Sequence, residues 1–202
     1  MNEIETIKFL TFNEELKKIW IQLDKENNLT PFQSYYWNYN WYKNILLNHK
    51  NLEVFVIVLF KNNTPVDLLP FMLERYKSFR IIKFLGGNNT DYMHPVSSRS
   101  SYFKSKYFSE KHFKQILNLN VPKYDLCIFE NQPQTIESKI NYFLKYFFKI
   151  QSNVSLRINM EKFSFDTFIQ SKSKKFIYDI RRQIKKLQNF GNLEFTIEDN
   201  QK

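Results

Sequence analysis

A chain of 202 residues with 43% hydrophobic and 18% aromatic side chains can bury the core of one domain, or of one domain and part of a second. It is too apolar for wholesale disorder. The formal charge of +10 is weak ground for a polyanionic partner, because lysine is enriched together with Asn, Ile, Phe and Tyr while alanine is absent, the pattern of AT-rich coding. The single cysteine, Cys127, excludes an intrachain disulfide and a thiolate metal cluster, and its apolar neighbours make it a small core residue. Met1-Asn2-Glu3-Ile4-Glu5 lacks the features of a secretion signal, and the longest apolar run, Val54 to Phe60, suits a strand rather than a membrane span. A cytoplasmic protein is expected.

In chain order, Ile7 to Phe12 reads as a strand, and Asn13-Glu14-Glu15 caps a helix with apolar positions Leu16, Ile19, Trp20 and Leu23. A second helix opens at Thr30-Pro31-Phe32-Gln33, where Thr30 caps, Pro31 suits the first turn and Gln33 completes a capping box; it runs toward Leu47. Three strands follow. Leu52 to Phe60 is nearly continuous in apolar residues, as in a strand buried on both faces. Lys61-Asn62-Asn63-Thr64-Pro65 is turn chemistry, so Val66 to Tyr76 returns as a hairpin partner in which Pro70 marks a bulge or an edge. Arg80 to Leu85 is the third. A helix over Ser109 to Leu119, a short buried strand over Tyr124 to Glu130 and an amphipathic helix over Glu137 to Ile150 come next. Asn153 to Met160 alternates as a strand, Phe165 to Phe190 reads as one long basic helix stopped by Gly191, and Leu193 to Ile197 is strand-like.

The site signal is Gly86-Gly87-Asn88-Asn89-Thr90-Asp91-Tyr92-Met93-His94-Pro95, directly after the third of those strands. It holds two of the three glycines in the chain, which marks backbone that needs positive φ or close approach. Asp91 or His94 is the candidate base and Tyr92 the candidate hydrogen-bond donor. The alternative is a structural turn with Asp91 capping backbone and Tyr92 packed in the core. The aromatic helix containing Trp37 and Trp41 is read as core packing facing the sheet, or as the wall of a pocket. Lys172 to Lys186 is read as a solvated cationic face on a helix docked by Phe176, Ile177, Ile180, Ile184 and Leu187, with nucleic acid, acidic lipid or a CoA phosphate as sharper alternatives. His49 and His112 stand alone, so no metal is expected.

Strand, two helices, three strands, then helix–strand–helix–strand is the order of the GNAT acyltransferases. Pro31-Phe32-Gln33-Ser34 with Trp37 and Trp41, then Leu68-Leu69-Pro70-Phe71, Phe84-Leu85-Gly86, Asp91-Tyr92 and Pro95, resembles the CelD/BcsL-type acetyltransferases, a family similar to the FemAB peptidyltransferases. The resemblance implies a GNAT-like α/β fold with a mixed, mostly antiparallel sheet flanked by helices over residues 1–162. Residues 163–202 look like the opening of a second GNAT-like half, with the chain ending early in it. It also implies transfer of an acyl group from an acyl-CoA donor to an amine or hydroxyl acceptor, in polysaccharide or envelope metabolism. Asp91, Tyr92 and His94 would be the catalytic candidates, and Gln33, Trp37, Gly86, Gly87 and Asn88 would line the substrate side. The pyrophosphate-loop motif of the superfamily, Gln/Arg-x-x-Gly-x-Gly/Ala, is missing from this sequence, so no residues are assigned to the donor. A truncated non-catalytic domain and a nucleic-acid-binding module are the alternative functions. A second copy, or a partner chain supplying the other half, is the expected protein partner.

Overall fold

The computed structural model describes residues 4–26, 30–136, 139–147, 150 and 164–194. The chain divides into two compact units, residues 1–150 and 151–202. The expected strand over Asn153 to Met160, the domain boundary after residue 162 and most of the strand over Leu193 to Ile197 lie outside the described residues.

The first unit is an α/β structure built on one mixed, mostly antiparallel sheet. β1 (Glu5–Phe9), β2 (Leu52–Lys61), β3 (Thr64–Tyr76) and β4 (Phe79–Phe84) lie in that order and pair antiparallel. Beyond β4 the next strand in space, β6 (Leu126–Cys127), runs parallel to it, and β5 (Val96–Ser97) pairs with the outer part of β3. The apolar run of β2 needs two cores, because successive side chains of a strand point to opposite faces. Phe55, Ile57 and Leu59 join Phe71, Leu73, Ile82 and Phe84 against α3 (Glu110–Asn120), which contributes Phe113, Ile116 and Leu117. Val54, Val56, Val58 and Phe60 face the other way, onto Leu16, Trp20 and Leu23 of α1 (Glu14–Lys25).

Caps set the helix starts. Asn13 accepts the Leu16 N–H at 2.8 Å, and Ser109 donates its backbone N–H to His112 Nδ1 at 3.1 Å, which gives that histidine a structural role. The expected second helix forms in two pieces. Pro31–Gln33 is a single 3-10 turn, and α2 (Tyr35–Asn44) starts afresh at Ser34, whose hydroxyl accepts the Trp37 N–H at 3.2 Å. Pro70 sits at neither a bulge nor an outer edge. β4 pairs with Phe71 onward and β5 with Asp67 and Leu68, so the missing proline N–H falls in the gap between two neighbours.

The expected helix over Glu137 to Ile150 does not form in the described part of that stretch. Thr135–Ile136 and Lys139–Ile140, β7 and β8, make a two-stranded ladder, and Tyr142–Tyr146 is a 3-10 segment. Asn141 stops any helix from running through: its side chain accepts the Phe143 N–H at 3.0 Å and donates to the Pro133 carbonyl at 2.9 Å. Phe143 then drops into a cluster with Phe84, Phe103, Phe113 and Phe129 at ring-centroid distances of 5.1–5.7 Å. Tertiary aromatic packing outweighs a helical pattern there. The strand expected over Tyr124 to Glu130 shrinks to β6, and it is not fully buried, since Leu126 and Ile128 are exposed.

In the second unit the expected long helix is two, α4 (Phe165–Gln170) and α5 (Lys174–Gln188). Ser173 is the reason for the break, because its hydroxyl takes the Phe176 N–H at 3.2 Å and starts a new helix.

Candidate functional site

The strongest local constraint in the first unit is the turn that ends β4. Gly86 has φ 126° and Gly87 φ 57°, and Tyr92 follows at φ 53°, so three residues within seven occupy conformations that L side chains avoid. Buried polar groups hold this backbone. Thr90, itself buried, donates its hydroxyl to the Gly86 carbonyl at 2.7 Å and accepts the Trp37 indole N–H at 2.9 Å. Asn131 closes the far side: its amide donates to the Thr90 carbonyl at 2.8 Å and its own carbonyl accepts the Met93 N–H at 3.0 Å.

Gln33 works from the second helix. Its side-chain oxygen accepts the Thr30 N–H at 3.2 Å, its amide donates to the Tyr92 carbonyl, and its backbone carbonyl accepts the Trp20 indole N–H at 2.8 Å. The 3-10 turn, α1 and the glycine loop are therefore tied through one buried glutamine. Trp37 and Trp41 both reach this loop, and Trp41 also packs against the core cluster on that face of the sheet, as expected. Trp37 stacks edge-on with Phe32 at 5.0 Å, and a Cβ placed on Gly87 would lie 3.1 Å from Trp41 Cζ2.

The proposed catalytic residues part company here. Asp91 is exposed, Tyr92 is half-buried beside Phe32 with ring centroids 6.4 Å apart, and His94 is buried. Nδ1 of His94 is 2.8 Å from the Pro95 carbonyl. A carbonyl can only accept, so Nδ1 carries the proton in that contact. Of the five residues placed on the substrate side, Gln33 and Trp37 hold the loop, Gly86 is sealed under Thr90, and Gly87 and Asn88 face an opening.

That opening is a cleft of about 170 Å³ whose walls include Trp41, Met72, Lys83, Gly87, Met93 and Glu130. It contains an ion cluster that the sequence reading missed: Lys83 Nζ lies 2.8 Å from Glu74 and 3.8 Å from Glu130. A signal for part of it was present. Met72 pairs with Lys83 across the β3–β4 hairpin, so Glu74, two residues further along, lies diagonal to Lys83 on the same face. Glu130 could not be placed without the parallel β6.

Other titratable groups sit less well for chemistry. Burial pushes the Cys127 thiol up to about 11, which keeps it protonated and unreactive at neutral pH. Among the described residues no three His, Cys, Asp or Glu side chains converge as metal ligands, and no helix is long and apolar enough to cross a membrane.

Replacing Thr90 by the near-isosteric valine removes a donor and an acceptor from buried partners. An unfolding free energy lower by roughly 1–3 kcal/mol is expected in urea titrations. A change under about 0.5 kcal/mol would show that the Trp37–Thr90–Gly86 chain is not what holds the turn.

The fold and site together define an α/β protein with a cleft on one face of a mixed sheet. No family model, curated protein or solved structure matches the chain.

Proposed function

We propose that this chain is an acyltransferase of the GNAT type that moves an acyl group from acyl-CoA to an amine or hydroxyl acceptor, in polysaccharide or envelope metabolism. One observation carries the reading. Three antiparallel strands lead through α3 into the parallel strand β6, and the cleft runs over Met72, Glu74 and Lys83 on one face of the sheet to Gly87, Asn88 and Glu130, just past the C-terminal ends of β4 and β6. In sheets that contain parallel strands, ligands favour the crevice outside those ends. The order strand, two helices, three strands, helix, parallel strand also agrees, as far as β6, with the order that the CelD/BcsL-type resemblance implies for the first half; the helix expected next does not form among the described residues.

The cleft's size limits what enters it. About 170 Å³ is below the roughly 300–1,000 Å³ that encloses a drug-sized ligand, so it suits the reacting end of the substrates and not a whole nucleotide. The acceptor nitrogen or oxygen attacks the thioester carbonyl, the new C–N or C–O bond forms, the C–S bond breaks, and the CoA sulfur leaves with the acceptor's proton. Gly87, Asn88 and Trp41 are positioned to form the wall against which the reacting groups align, with Gln33, Trp37 and Thr90 fixing that wall as positioning residues. Asp91, exposed at the loop, is the base candidate that solvent can reach.

Calorimetry with acetyl-CoA tests this directly. Saturable binding, weakened at least tenfold by Gly87→Trp, is the expected result. A flat titration of folded protein would replace the enzyme with a non-catalytic domain of the same fold.

A further inference from the structure

Helix α5 carries an apolar stripe that stays partly exposed. At about 100° per residue, Phe176, Ile177, Ile180, Ile184 and Leu187 fall within an arc of roughly 100°. Phe176, Ile180, Ile184 and Leu187 remain 43%, 39%, 45% and 53% exposed, and Phe190, just past the helix, is 84% exposed. Six cationic side chains, Lys174, Lys175, Arg181, Arg182, Lys185 and Lys186, stand against the single carboxylate of Asp179 and leave the helix a net charge of +5. Asp179 is engaged by Arg182 at 3.3 Å, so the remaining cations are free of carboxylates within the helix.

We propose that α5 is an interfacial helix that lies flat on an anionic lipid surface, with its stripe among the acyl chains and its cations on the headgroups. The charge selects the occupant. A second copy of the chain would bring another +5 against the first, which opposes packing stripe to stripe. A nucleic acid would satisfy the lysines and arginines but leave isoleucine and leucine in water. An anionic bilayer satisfies both at once. The arrangement of the cations fits a plane: Lys174 and Arg181 border the stripe on one side, and on the other Lys186 and Lys175 stand one step further out, past Gln183 and Asp179. Both rows reach headgroup phosphates when the stripe faces down, and their long stems cover the boundary. The inference uses residues of the second unit alone and does not depend on acyl transfer.

The test is co-sedimentation of the full chain with vesicles of phosphatidylcholine, with and without 30 mol% phosphatidylglycerol, at about 0.1 M salt. Binding at least tenfold tighter to the anionic vesicles is expected. The double variant Ile180→Asp, Ile184→Asp should lose at least tenfold of that affinity, and Lys185→Glu, Lys186→Glu should bring binding close to the level on neutral vesicles. Circular dichroism and thermal melting should be unchanged in both variants, since the substituted side chains are exposed. Absence of binding to anionic vesicles would overturn the proposal, as would anionic binding that survives the two aspartates. A duplex or single-stranded oligonucleotide that binds more tightly than the vesicles, with equal affinity for wild type and the aspartate variant, would also overturn it, in favour of a nucleic-acid surface.

Discussion

Gly86→Ala should lower the unfolding free energy by roughly 3 kcal/mol or more, a fall of about 6–12 °C in the melting midpoint for a chain of this size. Two costs combine. At φ 126° and ψ −19° the backbone occupies a region closed to residues with a Cβ. The added methyl would also sit 2.2 Å from Thr90 Oγ1 and 2.7 Å from Thr90 Cβ. Thr90 cannot swing aside cheaply, because the same hydroxyl holds the Trp37 indole and the Gly86 carbonyl. Gly87 provides the contrast. Its φ of 57° is ordinary left-handed backbone and its nearest obstacle is a ring carbon of Trp41 at 3.1 Å, so Gly87→Ala should cost about 1 kcal/mol. Differential scanning calorimetry of both variants checks the pair. Midpoints within 2 °C of wild type for Gly86→Ala would mean that the turn relaxes freely, and the claim that it is a built feature would fall.

The position of this turn could be read in the sequence because glycine is so scarce here that a Gly-Gly pair after a strand has to answer to backbone geometry. The same holds for β2 and its two cores, since an apolar run without alternation has no other use in a sheet, and for the caps at Asn13 and Ser109, which act within one turn of sequence. What escaped was whatever depends on partners far along the chain. Residues 139–147 carry apolar residues at helical spacing, yet Phe143 is decided by four distant phenylalanines. Thr90 looks like any loop threonine until Trp37, 53 residues away, is brought onto it. Glu130 becomes a cleft residue only because β6 lies parallel to β4, a pairing that no local pattern announces. Helical spacing gives Trp37 and Trp41 one face without saying all that it meets: Trp41 packs against the sheet's core cluster, while Trp37 bonds Thr90 of the loop.

Wild-type stability should fall by roughly 3 kcal/mol between pH 5 and pH 8 through one group, Asp67. Asp67 stands in β3, fully buried, between Leu59 of β2 and Ser97 of β5. Its Oδ2 accepts the Tyr102 N–H at 2.8 Å, which ties the segment after β5 back to the sheet. Its Oδ1 has no hydrogen-bond partner among the described residues. Burial pushes the carboxyl up from 3.8 to about 7, and the nearby hydroxyls of Ser101 and Ser97, the Tyr102 amide and the Lys104 ammonium pull the other way without offsetting it. The sign follows from proton uptake. Between about pH 4 and pH 7 the folded chain holds a proton on Asp67 that the unfolded chain has released, so raising the pH through this window removes stability, and the loss levels off above about 7. Asp67→Asn cannot ionise and still offers an oxygen to the Tyr102 N–H. The asparagine variant should therefore be the more stable protein at pH 8, and the difference between the two should shrink as the pH approaches 5. Because every other titrating group is common to both chains, the difference in their urea midpoints isolates this residue. Parallel profiles for wild type and variant across pH 5–8 would show that the carboxylate is solvated in the folded state. Asp67 would then be an ordinary anchor for the Ser98–Lys104 segment instead of a buried charge that the fold tolerates only when protonated.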